Sequence, residues 1–126
     1  MSTLTPGQLG ELLRQDAAGE YATEAATELL CQHGRWLTRS DFRATCIGYD
    51  DDGTERVAWI QWSAVAGFLA EAPCSSSEVR ILRLAAELAG HDSGVPLSEL
   101  LTGLDERNSR IVVVAIAHAV RMDGRR

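Results

Sequence analysis

The sequence contains no lysine, and all twelve of its basic residues are arginine. Against these stand eighteen acidic residues, which give a formal net charge of −6. The codon preference of a GC-rich genome accounts for arginine replacing lysine. Because binding to the phosphates of nucleic acid needs clustered cations, this charge disfavours a polyanionic partner.

Long apolar runs and an even set of cysteines are also missing. No stretch approaches the roughly 20 apolar residues that span a bilayer, and no basic leader precedes an apolar block at the N-terminus. The three cysteines, Cys31, Cys46 and Cys74, lack the paired spacing of a disulfide framework and fit reduced thiols. We therefore expect a cytoplasmic protein without a membrane partner.

What is present is the composition of a globular domain, with 45% hydrophobic residues over 126 positions. Apolar residues recur at helical spacing through most of the chain, which predicts a mainly α-helical single domain of five to six helices with one β-hairpin. The domain spans 1–126, with 1–19 a candidate for a loosely attached N-terminal segment and 122–126 a frayed tail.

The last apolar run, Ile111 to Val120, is apolar nearly all round except at His118. This pattern predicts a central buried helix, and its β-branched first half keeps a buried strand as the alternative. We expect the core to form where the helices at 78–89 and 106–121 pack against the helix at 20–33.

The hairpin is predicted from a change of period in the middle of the chain. Ile47 to Tyr49 and Thr54 to Trp62 alternate like strands, and Asp52-Gly53 between them is typical of a tight primed turn. The aspartate run before Gly53 does not match a calcium loop, because Gly48 and Trp59 would occupy ligand positions.

Trp59 and Trp62 are the candidate interface residues. Side chains of a regular strand alternate between its faces, so these two rings cannot both point inward unless the chain bends after Ile60. One ring is then left for another element or a partner chain, and tryptophan is enriched at interface hot spots. The sequence predicts a protein partner or a homodimer through the hairpin edge, with a helix lying across the hairpin as the competing outcome.

The remaining motifs give little support for a metal site or a catalytic site. Cys31 and His33 are the nearest pair of metal-ligand types, and their spacing is narrower than that of zinc sites, so no metal or cofactor is expected. Cys74 precedes Ser75 to Glu78, which has the spacing of a capping box. A helix N-terminus stabilises a thiolate, which makes Cys74 the one weak catalytic candidate.

A helix-turn-helix is the second functional hypothesis. The segment 97–120 has its proportions, with Gly103 in the turn, and Arg107, Asn108, Ser109 and Arg110 would begin the recognition helix. Asp105 and Glu106 stand in the same turn and repel phosphates, which weakens this hypothesis.

Several segments together resemble small hypothetical proteins of GC-rich actinobacteria over most of residues 25–120. They are Trp36-Leu37 with Asp41-Phe42, Ala58 to Trp62, Ser77-Glu78 with Ile81 to Ala86, and Gly103 to Asn108. The resemblance implies no activity, ligand or site. The sequence therefore favours a non-catalytic, cytosolic protein-interaction or regulatory module, with a nucleic-acid-binding regulator second and a thiol-dependent enzyme third.

We expect Cys74 to react with iodoacetamide faster than Cys31 or Cys46 in the folded protein, because a helix N-terminus favours its thiolate. Peptide mapping after brief alkylation at neutral pH measures the three rates. Equally slow reaction of all three thiols would contradict the hypothesis of a thiol-dependent enzyme.

Overall fold

The computed structural model of the chain describes residues 4–71 and 76–121. Within them, seven α-helices and one antiparallel hairpin confirm the predicted mainly helical fold. The helices are α1 (Pro6–Ala17), α2 (Tyr21–His33), α3 (Ser40–Cys46), α4 (Val65–Glu71), α5 (Ser76–Leu88), α6 (Leu97–Leu101) and α7 (Glu106–Ala119). The strands are β1 (Ile47–Asp51) and β2 (Arg56–Ile60). The described residues thus hold seven α-helices where five to six were predicted.

Helix α2 lies at the centre of the fold. It packs against α1, α5 and α7, and its Ala25, Ala26, Leu29 and Leu30 are almost completely buried. The predicted packing of the helices at 78–89 and 106–121 against the helix at 20–33 is confirmed as α5 and α7 against α2. Small alanine side chains allow these neighbours to approach α2 closely.

Helix α7 is confirmed as a helix, but the prediction that it is centrally buried is wrong. It buries a single stripe that contains Asn108, Val112 and Ala115, while Val113 and Val114 on other sides are exposed. The reason is that α7 packs mainly against α2 and lies at the edge of the domain.

Helix α1 belongs to the core, although the sequence left 1–19 as a loosely attached segment. Its Leu9 and Leu13 are buried, and the helix packs against α2 and β2. A capping box begins it: the Thr5 hydroxyl accepts from the Gln8 amide at 3.1 Å, and the Gln8 side chain accepts from the Thr5 amide at 2.9 Å. Residues 1–3, Cys74 with Ser75, and the predicted tail 122–126 lie outside the described residues.

The hairpin turn differs from the tight primed turn that the sequence predicts. Asp51 pairs with Arg56, which leaves a longer loop of residues 52–55. The Asp52 carboxylate accepts hydrogen bonds from the amides of Thr54 and Glu55 and from the Thr54 hydroxyl, which stabilise the conformation of this loop. These donors stabilise the carboxylate and lower the pKa of Asp52 to about 2.

Gly48 and Trp59 are paired across the two strands, and the Trp59 indole occupies the space that a side chain at position 48 would need. A Cβ added at Gly48 would overlap the indole of Trp59. Glycine at this position therefore lets the indole lie across β1. Ala58, the residue before Trp59 in β2, points to the opposite face and is fully buried.

We expect Gly48→Ala to lower the free energy of unfolding by about 1–3 kcal/mol, as overpacked positions do, because the new methyl displaces the Trp59 indole. Urea unfolding followed by tryptophan fluorescence measures the change. In a Trp59→Ala background the same substitution should be neutral or stabilising, since alanine loses less backbone entropy than glycine. Equal costs in both backgrounds would show that the indole does not occupy this space.

Candidate functional site

Exposed apolar side chains lie along α7 and at Val120, the residue that follows it. Val113, Val114 and Val120 are 64%, 60% and 60% exposed, and Ile116 is 38% exposed. At about 100° per residue, Val113, Ala117 and Val120 lie on the side of α7 that faces away from α2, beside charged residues. We call Glu106, Arg110, Val113, Val114 and Ala117, together with Val120 directly after the helix, the outer face of α7. Arg121 does not belong to it, because its backbone is left-handed and its guanidinium lies over the Tyr21 ring of α2.

Capping fixes where α7 begins and therefore which residues point outward. The Asp105 carboxylate accepts from the Asn108 amide at 2.7 Å and so caps the N-terminus of α7. The Asn108 side chain turns inward, and its Oδ1 atom is buried without a protein partner among the described residues. This register directs Val113 and Val114 to solvent.

An apolar groove adjoins the outer face of α7. It has a volume of about 230 Å³ and lies between α2 and α7. Leu29, Ile111, Val114 and Ala115 form its apolar walls, and Glu28, Gln32 and Arg110 complete its lining. Val114 and Arg110 belong to both features, so the groove and the outer face form one continuous surface.

Ion pairs on α2 hold α1 and α7 in place next to this surface. The Arg14 guanidinium donates to both carboxylate oxygens of Glu28 at 2.9 and 3.0 Å. The imidazole of His118 and the carboxylate of Glu24 lie 2.7 Å apart. Glu24 also accepts from the Gly19 amide at 2.8 Å, so one carboxylate ties the α1–α2 connection to the end of α7.

These pairs line a second cleft of about 210 Å³ together with Ala17 and Thr27. The Arg14 hydrogen bonds lower the pKa of Glu28 below the usual range of a glutamate, although partial burial acts in the opposite direction. The charged side chains that line the cleft are paired with one another. They therefore connect the helices and do not point into the cleft toward a ligand.

The residues predicted to read nucleic acid do not share one exposed face. Asn108 is buried and Ser109 is half-buried. Arg107 donates to the Gln32 carbonyl at 2.9 Å, and Arg110 pairs with Glu106 at 2.6 Å. The physical reason is that consecutive residues of a helix project about 100° apart. Helix α6, the expected first helix of the motif, packs against α5.

The two predicted interface tryptophans lie in different surroundings. Trp59 is half-buried over Gly48, whereas Trp62 packs against the core after the strand ends at Ile60. Trp62 lines a third cavity of about 150 Å³ with Ser63, Arg83 and His91 among its neighbours. Helix α1 packs against β2, as in the competing outcome that the sequence allowed.

The described thiols are weak nucleophiles. Burial raises the pKa of Cys31 and the pKa of Cys46 to about 11 each. Within residues 4–71 and 76–121, no group of three histidine, cysteine or acidic side chains is placed to hold a metal ion. No helix in the same ranges is long and apolar enough to cross a membrane.

Sequence reasoning missed the outer face of α7, although a signal for it was present. The apolar run from Ile111 to Val120 has more apolar positions than one buried stripe requires. Such an excess is compatible either with burial on all sides or with an exposed apolar face, and the periodicity alone does not separate the two.

Comparisons with protein-family models, with characterised proteins and with solved structures found no match to this chain. The functional assignment is therefore drawn from the geometry of the described residues.

We expect Glu28→Gln to destabilise the protein at neutral pH and to have little effect at low pH. The lowered pKa of Glu28 means that its ion pair with Arg14 contributes stability above the ordinary glutamate pKa and loses it as pH falls through the folded-state pKa. Thermal unfolding of both proteins between pH 7 and pH 2.5 measures this difference. Glu99→Gln is the control, since Glu99 is exposed on α6 and has no ion-pair partner among the described residues. A wild-type advantage that persists undiminished at pH 2.5 would contradict the ion-pair explanation.

Proposed function

We propose that the protein is a non-catalytic, cytosolic protein-interaction or regulatory module, and that it binds an apolar helical face through the outer face of α7 and the adjoining groove. The observation that carries the proposal is the exposure of Val113 and Val114 on α7 and of Val120 directly after it. Contiguous exposed apolar surface on a small protein marks interaction sites. A helix laid into an apolar groove is a recurring mode of recognition.

The shape and rim of the surface support a helical partner. The groove beside Val114 runs between two helices and has apolar walls with Glu28 and Arg110 on its lining. An apolar core with a polar rim is the usual anatomy of a protein interface. This surface replaces the hairpin edge, because α1 packs against β2 and the tryptophans there are half-buried.

Two observations support the non-catalytic and cytosolic parts of the proposal. The charged residues of the second cleft are engaged in ion pairs with one another, as Arg14 is with Glu28. Cys31 and Cys46 are unpaired thiols with raised pKa values, which fits reduced, unreactive cysteines.

Photo-cross-linking tests the proposal directly. A benzophenone side chain introduced at Val113 should give a discrete cross-linked product in the cells that make the protein, because this position lies inside the contact. The same group at Leu97, which is 55% exposed on α6, is the matched control and should give no such product. The cross-linked protein is then purified, and its affinity for the module is measured by calorimetry.

We expect Val114→Glu to weaken that binding at least tenfold, since a carboxylate cannot be buried in an apolar contact without a partner. Leu97→Glu should leave it unchanged. Equal cross-linking at Val113 and Leu97, or equal affinity of both variants, would refute α7 as the binding surface.

A further inference from the structure

We infer that the third cavity, between α4, α5 and the loop that follows α5, binds a small organic monocarboxylate whose carboxylate pairs with Arg83 and whose apolar body lies against Trp62. The cavity has a volume of about 150 Å³. This site is independent of the proposed function, because no residue that lines it belongs to the outer face of α7 or to the groove beside it.

Two helices and one loop form the walls of the cavity. Three lining residues share one face of α4 and two share one face of α5: Val65, Ala66 and Leu69, and Arg83 and Ala86. Residues three or four apart are neighbours on a helix surface, so each helix contributes one continuous face. Trp62 and Ser63, which directly precede α4, and residues 91–93 complete the lining.

The loop after α5 is held in place by two carboxylates. Glu87 accepts from the amide of Ser93 at 2.9 Å, and Ser93 itself is buried. Asp92 accepts from the amide of Gly94 at 2.8 Å. Both carboxylates near the cavity are thereby bonded to the backbone, and neither forms an ion pair with Arg83.

Arg83 is a half-buried cation that has no carboxylate partner within residues 4–71 and 76–121. Its Nη1 atom donates to the carbonyl of Ser93, which leaves Nε and Nη2 without an acceptor among the same residues. These two nitrogens lie on one edge of the guanidinium, and a pair of parallel donors of this kind binds a carboxylate through both oxygens. By contrast, Arg14 in the second cleft and Arg110 in the groove beside α7 are each paired with a glutamate.

The rest of the lining indicates which carboxylate fits. The half-buried Trp62 ring forms an aromatic wall. Three buried apolar side chains lie around it: Val65, Leu69 and Ala86. An inorganic anion would leave these walls in contact with water, whereas an apolar body covers them while the charged group fixes its orientation. A cavity of this volume holds a body of the size of benzene. The net charge of −6 disfavours a polyanion, which favours a ligand with a single negative charge.

Titration of the isotope-labelled full chain with benzoate, followed by NMR, tests the site. Benzoate should shift the backbone amide resonances of Ser63, Ala66 and Ser93 and should saturate with a dissociation constant on the order of 1 mM, as expected for so small a ligand. Benzamide, which has the same shape without the charge, should bind more weakly by roughly tenfold or more. Inorganic phosphate at the concentration of benzoate should not displace it. Absence of saturable shifts, equal binding of benzamide or displacement by phosphate would each overturn the inference.

A pair of arginine variants tests the role of the cation. Arg83→Met should weaken benzoate binding by roughly tenfold or more, because it keeps the length of the side chain and removes the charge. Arg80→Met is the matched control, since Arg80 is also half-buried on α5 and does not line the cavity. Equal affinity of the two variants for benzoate would refute Arg83 as the carboxylate partner.

A second pair of variants leaves Arg83 and its bond to the Ser93 carbonyl in place. Ala66→Phe adds a ring at the cavity and should prevent benzoate from entering. Ala70→Phe adds the same ring at another exposed position of α4 that does not line the cavity, and should bind benzoate like the wild type. Circular dichroism verifies that both variants are folded. Benzoate binding that survives Ala66→Phe would place the ligand elsewhere and overturn the inference.

Discussion

The burial of α2 on several sides is the constraint on which the rest of the fold depends. Ala25 and Ala26 are fully buried, and α1, α5 and α7 each pack against this one helix. Because these neighbours share a central helix, none of them needs to be buried on more than part of its own circumference. The apolar residues that α7 carries beyond its contact stripe are consequently left at the surface.

Two carboxylates of α2 turn this packing into a defined orientation. Glu28 binds Arg14 of α1, and Glu24 lies against His118 near the end of α7. The buried stripe that contains Val112 and Ala115 determines which side of α7 faces inward, and the ion pairs add to it at half-buried sites. The Asp105 cap acts at the other end of α7. Together they hold the outer face of α7 toward solvent.

Local signals of helix termini were predictable from the sequence because they act within a few residues. The Thr5 cap, the left-handed Gly34 that ends α2 and the Asp105 cap all follow from backbone chemistry at the residue itself. The length of the hairpin loop was not predictable, since it depends on which amides the Asp52 carboxylate accepts. The register of the strands, and with it the contact of Trp59 with Gly48, depends on that length.

The extent to which α7 is buried was not predictable for a different reason. Periodicity reports which residues are apolar, but burial depends on how many neighbouring elements surround the helix, and this is a property of the whole fold. The surroundings of Trp59 and Trp62 were not predictable for the same reason, because the packing of α1 against β2 joins elements far apart in sequence.

The choice of valine on the outer face of α7 supports the proposed binding surface. In a solvent-exposed helix, valine is less favourable than alanine by roughly 0.5 kcal/mol, because its branched side chain loses rotamer freedom against the preceding turn. Val113 and Val114 therefore weaken the helix of the monomer and also expose apolar area to water. An alanine or a charged residue at either position would favour the isolated fold. The two valines become favourable when a second apolar surface covers them, since burial of a side chain of this size contributes about 1.5 kcal/mol or more.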